Sequence, residues 1–311
     1  MSTVTEPFVH PALFYANAAE YLAGTVSFVR EGLERGEPVA VAVPSYNLEL
    51  IRAELGEDGS RVRFLDMQKA GRNPGRIIPG VLRAFADSHP AAGRVRLIGE
   101  PIWAGRSETE YPACAQHEAL INHAFTGREV SILCPYDTTR LDERSLADAY
   151  VTHPVVIDGG GRQSDSPAYD PDGLVARYNQ PLPEAPCGIR LSFDYDAESL
   201  PTARHRSVAE AAQTGLAADR LDDFALIVAE LTTNSVVHGG GRGTVRLWSE
   251  DGHLVCEVRD AGQLTDPLAG RRPAGRDQIG GRGLLTVNLL ADLVRVHTGG
   301  YGTTIRAYLA L

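Results

Sequence analysis

Apolar residues in the first half of the chain recur with two periods, one typical of helices and one typical of buried strands. Apolar side chains three and four positions apart predict an amphipathic helix over residues 17–35. Its apolar face comprises Tyr21, Leu22, Val26, Val29 and Leu33. The run VAVAV at 39–43 is typical of a strand buried on both faces. Further strands are predicted at 62–66, 95–100, 130–137 and the end of 142–157, and further helices at 45–55 (with Ser45 as N-cap), 75–88 and 112–126. Strands separated by such helices predict a parallel α/β sheet covered on both faces.

The second half of the chain follows a different order of elements. A strand at 189–195 precedes two long helices, at about 200–214 and 219–238. The pattern then predicts a hairpin of strands 243–250 and 253–260, a loop at 261–283, a helix at 283–292 and strands at 293–298 and 303–310. Helices followed by antiparallel strands predict an α+β sandwich with the helices on one face of the sheet.

The composition changes between the two halves. Residues 158–187 are rich in Gly, Pro, Ser and Asp and lack an apolar period, so they predict a linker with room for a short helix around 173–179. We therefore divide the chain into a domain at 1–160, a linker at 161–187 and a domain at 188–311. With 311 residues in total, either half is long enough to bury its own core.

Charge and composition exclude several classes of function. The net charge is −10, and both halves are acidic, with 17 basic and 24 acidic residues up to position 180 and 13 and 16 after it. A direct nucleic-acid partner is therefore not expected. The sequence has neither a membrane-spanning apolar run nor a signal peptide, so we expect no membrane association and a cytoplasmic location. The four cysteines never form the CxxC spacing of a zinc site, and no P-loop signature occurs.

Candidate chemistry is concentrated in the second half. Glu230, Asn234 and His238 recur at four-residue spacing on one predicted helix and therefore share a face. Asp260 ends a strand, the glycines of 280–283 open a helix, and Gly302 and the threonines after it begin the last strand. Each feature alone has an ordinary explanation, namely a solvated helix face, a turn or a helix cap. His238 is better explained by the helix dipole or by packing than by metal binding, because no other His or Cys lies at metal-ligand spacing.

Chemical principles connect these four segments. An amide on the helix can complete the oxygen-rich shell of Mg²⁺ beside a triphosphate, and a carboxylate one turn earlier can accept a proton from an attacking hydroxyl. A carboxylate at a strand end can accept a hydrogen bond from the exocyclic amine of adenine. Glycines at a helix N-terminus let backbone N–H groups approach phosphate.

The order of these segments over about residues 188–311 resembles the GHKL ATPase superfamily, which includes gyrase, Hsp90, histidine kinases and MutL. The stretches VAELTTNSVVHGG and GGRGLLTVNLLADLVRVHTGGYGTTIRAYL are most similar to the anti-sigma-factor serine kinases of bacterial sporulation and stress control. The resemblance implies an α+β sandwich of the GHKL (Bergerat) type that binds ATP with Mg²⁺. It departs from many relatives at Gln263-Leu264 and in the lid 264–280, which includes Arg271, Arg272 and Arg276.

The resemblance also implies roles for individual residues. Glu230 would be the general base and Asn234 the Mg²⁺ ligand. Asp260 would bind adenine, and Gly262 would let the base approach. The remaining implied residues form the lid and phosphate cradle (Gly281, Arg282, Gly283 and Leu284) and complete the adenine pocket (Thr303).

Two functions of different class follow from this resemblance. The first is a protein serine kinase that phosphorylates an STAS-type anti-sigma-factor antagonist and sequesters a sigma factor. The second is a module in which ATP gates partner binding without phosphoryl transfer. A histidine kinase is less favoured, because His205 lies inside the predicted ATPase unit and the HExRxP motif is absent. Relatives of this unit commonly dimerise, which leaves a homodimer open.

The first half resembles a different family over about residues 8–160. The segments HPALFYANAAEYLAGTVSFVREGLERGEPVAVAVP, LCPYD and HPVVI are similar to the MEDS sensory domain of regulators from methanogens and methylotrophs. This resemblance implies a RecA-like α/β fold without a working P-loop, and a small-molecule ligand that we do not identify. Polar or aromatic residues occur at segment ends, where a parallel sheet has its ligand crevice, although turn and capping roles explain them equally well. They are His10, Tyr15, Tyr136, Asp137 and His153.

Overall fold

The computed structural model describes residues 7–274 and 281–311. The chain forms two compact units, an N-terminal unit that ends at Tyr178 and a C-terminal unit at Asn179–Leu311. Each unit has its own sheet and its own hydrophobic core.

The N-terminal unit is built on one eight-stranded sheet. Its strands are β1 (Phe8–Val9), β2 (Pro11–Tyr15), β3 (Val39–Val43), β4 (Val62–Asp66), β5 (Val95–Gly99), β6 (Val130–Asp137), β7 (Val155–Ile157) and β8 (Gln163–Asp165). The order is β4-β3-β5-β6-β2-β7-β8, and β1 pairs with β6 just before β2 does. All pairs are parallel except β7 with β8. The predicted parallel α/β class is therefore confirmed.

Helices separate the parallel strands. They are α1 (Ala18–Glu34), α2 (Ser45–Leu55), α3 (Met67–Ala70), α4 (Ala84–Asp87), α5 (Tyr111–Ala124), α6 (Glu143–Thr152) and α7 (Pro171–Tyr178). Shorter helical turns occupy Gly56–Arg61 and Pro74–Arg76, and a π-helical turn occupies Ile78–Arg83. The predicted apolar face of the first helix is largely buried, since Tyr21, Val26, Val29 and Leu33 all belong to the core.

Three features of this unit differ from the sequence prediction. The central strand β2 was not predicted, because its short apolar run follows His10-Pro11 and proline is rare inside strands. The helix predicted at 75–88 is divided into 3-10, π and α turns, with Pro79 near the start of the π turn. Ser45 is the first helical residue rather than the N-cap, and its hydroxyl donates to Oε1 of Gln68 at 2.9 Å.

The C-terminal unit is a two-layer α+β sandwich, as predicted. Its strands are β9 (Leu191–Asp196), β10 (Arg242–Glu250), β11 (His253–Asp260), β12 (Leu293–Gly299) and β13 (Gly302–Ala310), and its helices are α8 (Leu200–Gln213), α9 (Leu221–His238) and α10 (Gly283–Leu290). The sheet order is β12-β13-β11-β10-β9, with every pair antiparallel. The core lies between this sheet and the helices and includes Phe224, Ile227 and Leu231 of α9.

The segment predicted as a linker contains ordered structure. Strand β8 extends the N-terminal sheet, and α7 packs in the N-terminal unit, where Val175 O accepts a hydrogen bond from Gln116. Residues 179–190, which we call the strap, belong to the C-terminal unit. Nδ2 of Asn179 donates to Thr298 O at 2.9 Å, and Arg306 donates to Pro183 O. Since the core residues on either side of Arg306 face the helices, the strap crosses the opposite face of the sheet.

Candidate functional site

A cavity of about 500 Å³ opens in the C-terminal unit between α9, the end of β11 and the start of α10. It brings together residues that are far apart in the sequence. Of the predicted site residues, those that line it are Asn234, Asp260, Gly262, Gly281, Arg282, Gly283, Leu284 and Thr303. Leu264, Leu268 and Ile305 add apolar surface to its wall. A concave, partly apolar wall with a few convergent polar groups is typical of small-molecule sites.

Asp260 is fixed at one end of the cavity by two hydrogen bonds. The Ser235 hydroxyl donates to Oδ2 at 2.7 Å, and the backbone N–H of Gly262 donates to Oδ1 at 2.8 Å. Asp260 remains partly exposed, while Ser235 is fully buried on the face of α9 that meets the sheet. A carboxylate held in one orientation in this way can accept a further hydrogen bond from a ligand N–H.

The backbone around Asp260 leaves no room for side chains. A methyl group on Gly239 would lie 2.4 Å from Cγ of Asp260, and one on Gly262 would lie 2.5 Å from the carbonyl oxygen of His238. Real contacts of this kind stay beyond about 3 Å, because closer atoms repel strongly. Glycine at both positions therefore permits the end of α9 and the turn after β11 to approach each other.

Glu230 and Asn234 face the start of α10. A methyl group on Gly283 would lie 2.6 Å from Oε2 of Glu230 and 3.1 Å from Nδ2 of Asn234. Asn234 lines the cavity, whereas Glu230 is not among the described lining residues and lies against Gly283. The carboxylate and the amide thus meet at the first turn of a helix, next to open space.

The N-terminus of α10 is suited to an anion. No described side chain caps this helix, so backbone N–H groups of its first turn are not satisfied by a capping side chain. Gly281, with φ 71°, has the left-handed conformation that favours glycine and lines the cavity just before the helix. Unsatisfied N–H groups and the positive end of the helix dipole together attract phosphate groups.

Thr303 connects the last strand to the turn after Asp260. Its hydroxyl donates to Gly262 O at 2.9 Å and lies 2.9 Å from the hydroxyl of Thr298. Thr298 in turn accepts a hydrogen bond from the backbone N–H of Leu264, also at 2.9 Å. This network holds the loop after Asp260 against the sheet edge.

The described part of the predicted lid 264–280 has internal structure. Asp266 accepts a hydrogen bond from the N–H of Leu268 and pairs with Arg272. Nδ2 of Asn288 in α10 donates to Gly270 O at 3.0 Å, so the loop is attached to the helix. Arg276 and Gly280, which were predicted in the same lid, lie outside the described residues.

Sequence reasoning missed Ser235, Thr298 and Asn288. The only signal for Ser235 is a polar residue on the buried face of an apolar helix, beside Asn234. His238, which was not expected to bind metal, is exposed at the end of α9 and lines the cavity.

In the N-terminal unit, the predicted crevice residues lie in three places. His10, Tyr136 and His153 are buried together, with ring centroids 4.1 Å apart between the histidines and 5.5 Å apart between Tyr136 and His153. Tyr15 packs elsewhere, against Tyr21. Asp137 accepts hydrogen bonds from Thr139 in the turn after β6.

A buried carboxyl, Glu100, lies beside Tyr21, which packs against Tyr15. The sequence did not predict it. Nδ2 of Asn47 donates to both carboxyl oxygens, at 3.0 and 2.9 Å, and the Tyr21 hydroxyl donates to Oε2 at 3.2 Å. Burial raises the pKa of Glu100 to about 8, although these hydrogen bonds lower it.

Comparison with family models identifies both units. The MEDS model, described as the MEthanogen/methylotroph, DcmR Sensory domain, matches residues 9–154. The model of the histidine kinase-like ATPase domain matches residues 193–309. The chain joins a MEDS domain to a histidine kinase-like ATPase domain. The resemblance of each half to its family is therefore confirmed.

Solved structures also match the chain. One is that of the RsbU and RsbW domains of a Mycobacterium tuberculosis protein, at 21% identity and a TM-score of 0.30; the match covers 39% of this chain and 32% of that chain. Another is the SiaB–SiaC complex from Pseudomonas aeruginosa, at 16% identity and a TM-score of 0.31, which covers 39% of this chain and 89% of that chain. The chain thus spans about a third of the mycobacterial chain.

No curated protein matches the chain. None of the helices described is both long and apolar enough to span a bilayer.

Proposed function

We propose that the ATPase domain binds ATP with Mg²⁺ and transfers its γ-phosphoryl group to a serine of a protein partner. The observation that supports this best is the meeting of Glu230, Asn234 and Gly283 at the start of α10, beside the cavity that Asn234 and Asp260 line. Four segments of the sequence converge there, and each supplies a group suited to one part of ATP.

Each end of the cavity suits one end of the nucleotide. The oriented carboxylate of Asp260 would accept the exocyclic N–H of adenine, and Gly262 and Thr303 would border the base. Gly281, Arg282, Gly283 and Leu284 would cradle the phosphates through backbone N–H groups and one guanidinium. Asn234 would contribute an amide oxygen to Mg²⁺, which neutralises phosphate charge when bound.

Glu230 would act as the general base. Its carboxylate would take the proton of the attacking serine hydroxyl while that oxygen forms a bond to the γ-phosphorus, and the bond from phosphorus to the bridging oxygen of ADP breaks. The carboxylate is only partly exposed and lies against Gly283, beside the amide of Asn234.

The partner and the regulation are inferred from the resemblance of the motifs to anti-sigma-factor serine kinases. We propose an STAS-type anti-sigma-factor antagonist as the phosphorylated partner and a sigma factor as the sequestered one, in the cytoplasm, with the ATPase domain able to form a homodimer. The MEDS domain would bind a small molecule. Such a ligand regulates the ATPase domain only if it binds two states of the chain with different affinity.

A second candidate function is an ATP-gated binding module without phosphoryl transfer. It is favoured by one observation, which is that Glu230 does not line the cavity in the described structure. In that case Asn234 and Asp260 would still bind the nucleotide, and ATP would stabilise only the conformation that holds the partner.

The test is phosphorylation of a cognate STAS-type antagonist by the full chain with γ-labelled ATP. Glu230→Gln should reduce transfer by about 10²–10⁴-fold, as expected for loss of a general base, and should leave ATP binding unchanged. Asp222→Asn, an exposed change in the first turn of the same helix, is the matched control.

Three results would contradict the proposal. Transfer by Glu230→Gln at the wild-type rate would exclude Glu230 as the base. ATP-dependent antagonist binding by a wild-type chain that transfers no label would favour the binding module. Acid-labile label on the chain itself would indicate a histidine kinase.

A further inference from the structure

The MEDS domain contains a buried cluster of four side chains with metal-ligating atoms. They are His10, Glu118, Cys134 and His153, and one ligand atom of each lies within 4.8 Å of the others. All four are at most 1% exposed. They come from the break between β1 and β2, from α5, from β6 and from the residue that ends α6, so the fold rather than local sequence assembles them.

The hydrogen bonds of Asn122 determine the tautomer of His10. Nδ2 of Asn122 donates to the carbonyl oxygens of Ala119 and Thr152, at 3.1 and 2.9 Å, which fixes the orientation of its amide. Its Oδ1 then faces Nδ1 of His10 at 3.1 Å and can only accept. Nδ1 of His10 therefore holds the proton, and the Nε2 of the neutral ring has a lone pair directed at Cys134.

The same argument applies to His153. Its Nδ1 lies 2.9 Å from the carbonyl oxygen of Ala149, which is an acceptor only, so Nδ1 is protonated. Nε2 of His153 then has a lone pair in the neutral ring. It lies 3.1 Å from Oε2 of Glu118 without the geometry of a hydrogen bond.

Two lone pairs, a carboxylate and a sulfur atom thus converge in a space closed to water. Without a metal, the Cys134 thiol can donate to Nε2 of His10 at 3.4 Å, and the same nitrogen lies 3.8 Å from Oε2 of Glu118. Oε1 of Glu118 is buried and accepts no hydrogen bond from the described residues. The lone pair on Nε2 of His153 and the carboxylate of Glu118 repel each other at 3.1 Å unless a proton or a metal cation lies between them.

We propose that His10, Glu118, Cys134 and His153 form a binding site for a divalent transition metal of the Zn²⁺ class. Imidazole nitrogen, thiolate and carboxylate are the ligands that such ions prefer. With metal–ligand bonds of about 2.0–2.3 Å, the ligand atoms of a tetrahedral site lie about 3.3–3.8 Å apart. Three of the ligand pairs lie near this range, at 3.1, 3.4 and 3.8 Å.

Charge balance supports the same assignment. A divalent ion with one thiolate, one carboxylate and two neutral imidazoles has no net charge, which suits complete burial. The second shell is also present, since Asn122 and Ala149 fix the two imidazoles and the Tyr136 hydroxyl donates to Oε2 of Glu118 at 3.1 Å. The site would join β1, β2, α5, β6 and the end of α6. This proposal does not depend on the proposed function of the ATPase domain.

A single proton is the competing occupant. An imidazolium at His153 could pair with Glu118 and satisfy part of the cluster without any metal. The metal and the proton differ in what they require of Cys134. A metal ion needs its thiolate as a ligand, whereas a proton shared by His153 and Glu118 leaves Cys134 uninvolved.

The test is the metal content and spectrum of the full chain produced with Co²⁺ as the probe, because the buried site must be filled as the protein folds. We expect one Co²⁺ per chain after dialysis, a thiolate-to-cobalt charge-transfer band and ligand-field bands of tetrahedral intensity. Cys134→Ser should remove the charge-transfer band and reduce retained Co²⁺ by more than about tenfold. Cys256→Ser, which changes a buried cysteine of the other unit, should retain both.

X-ray absorption on the wild-type chain loaded with Zn²⁺ identifies the atoms bound to the metal, and it does not require any variant to fold. We expect one sulfur and three nitrogen or oxygen atoms around each zinc ion. Asn122→Ala, a change of a positioning residue, should weaken Zn²⁺ binding by about 10–100-fold while the coordination by sulfur persists. A wild-type chain that retains no metal, or that binds metal without a sulfur neighbour, would overturn the proposal and favour the proton.

Discussion

Gly283, at the first turn of α10, lies directly against Glu230 of α9, and a methyl group added to its Cα would approach Oε2 of that carboxylate to 2.6 Å. This contact positions the proposed base beside the proposed phosphate cradle. A substitution at residue 283 therefore tests the site directly, since even the methyl group of alanine would disturb the proposed base and the proposed phosphate cradle.

We expect Gly283→Ala to weaken ATP binding and to reduce turnover. Overpacking costs about 1–3 kcal/mol, which corresponds to a roughly 5- to 150-fold loss if it falls on the bound state. Calorimetry of ATP binding in the presence of Mg²⁺ measures the effect. Gly300→Ala is the control, because a methyl group there meets no atom within 4 Å. Equal ATP affinity of the two variants would show that the start of α10 does not contact the nucleotide.

The strap predicts where a stable ATPase fragment must begin. A fragment of residues 179–311 retains the hydrogen bonds of Asn179 with Thr298 and of Arg306 with Pro183, whereas a fragment of 188–311 loses them. At about 0.5–1.5 kcal/mol for each of these three hydrogen bonds, the longer fragment should be more stable by about 1.5–4.5 kcal/mol.

Chemical unfolding of the two fragments measures this difference. Asn179→Ala in the longer fragment should remove part of the gain, which separates the hydrogen bonds from the effect of chain length. Equal free energies of unfolding for the two fragments would show that the strap does not stabilise the sheet.

Glu100 predicts a pH dependence of the stability of the MEDS domain. Its pKa is raised by burial from 4.5 to about 8, so between these values the folded chain holds a proton that the unfolded chain has lost. Because the unfolded state lacks this proton, the contribution of Glu100 to stability falls as pH rises from about 5 to about 8, by up to about 1.4 kcal/mol per pH unit, whereas buried His10, with a pKa lowered to about 3, acts in the opposite direction below about pH 6.5. The stabilising contribution is complete below about pH 4.5.

The measurement is chemical unfolding at several pH values, followed by the fluorescence of Trp103 in a Trp248→Phe background. Glu100→Gln should flatten the pH dependence, whatever its effect on absolute stability. Glu49→Gln, an exposed change in α2 of the same domain, should keep the wild-type slope. Equal slopes for the wild type and Glu100→Gln would contradict the raised pKa of Glu100.

The periodic segments explain why much of the fold could be predicted. The helices α1, α2 and α9 and the hairpin of β10 and β11 have strong local signals, and their predicted positions agree with the structure to within about two residues. β2 lacks such a signal, because Pro11 opens it and only five residues follow the strand period.

Local sequence patterns could not predict the contacts between distant segments of the chain. The spacing of Glu230 and Asn234 indicates a shared helix face, but nothing in the sequence places Gly283 against them. Cys134 of β6 and Glu118 of α5 join His10 only through the tertiary fold. The strap has a composition typical of loops, and its order comes from contacts with a sheet whose register the sequence does not specify.

The central claim is that the cavity beside Asp260 binds ATP, and calorimetry of the full chain with ATP and Mg²⁺ tests it most directly. Wild type and Asp222→Asn should bind equally. Asp260→Asn, which removes a charge-assisted hydrogen bond of about 1.5–3 kcal/mol, should bind ATP about tenfold more weakly or worse while its circular dichroism is unchanged. A wild-type chain that does not bind ATP, or a folded Asp260→Asn variant with wild-type affinity, would contradict the claim.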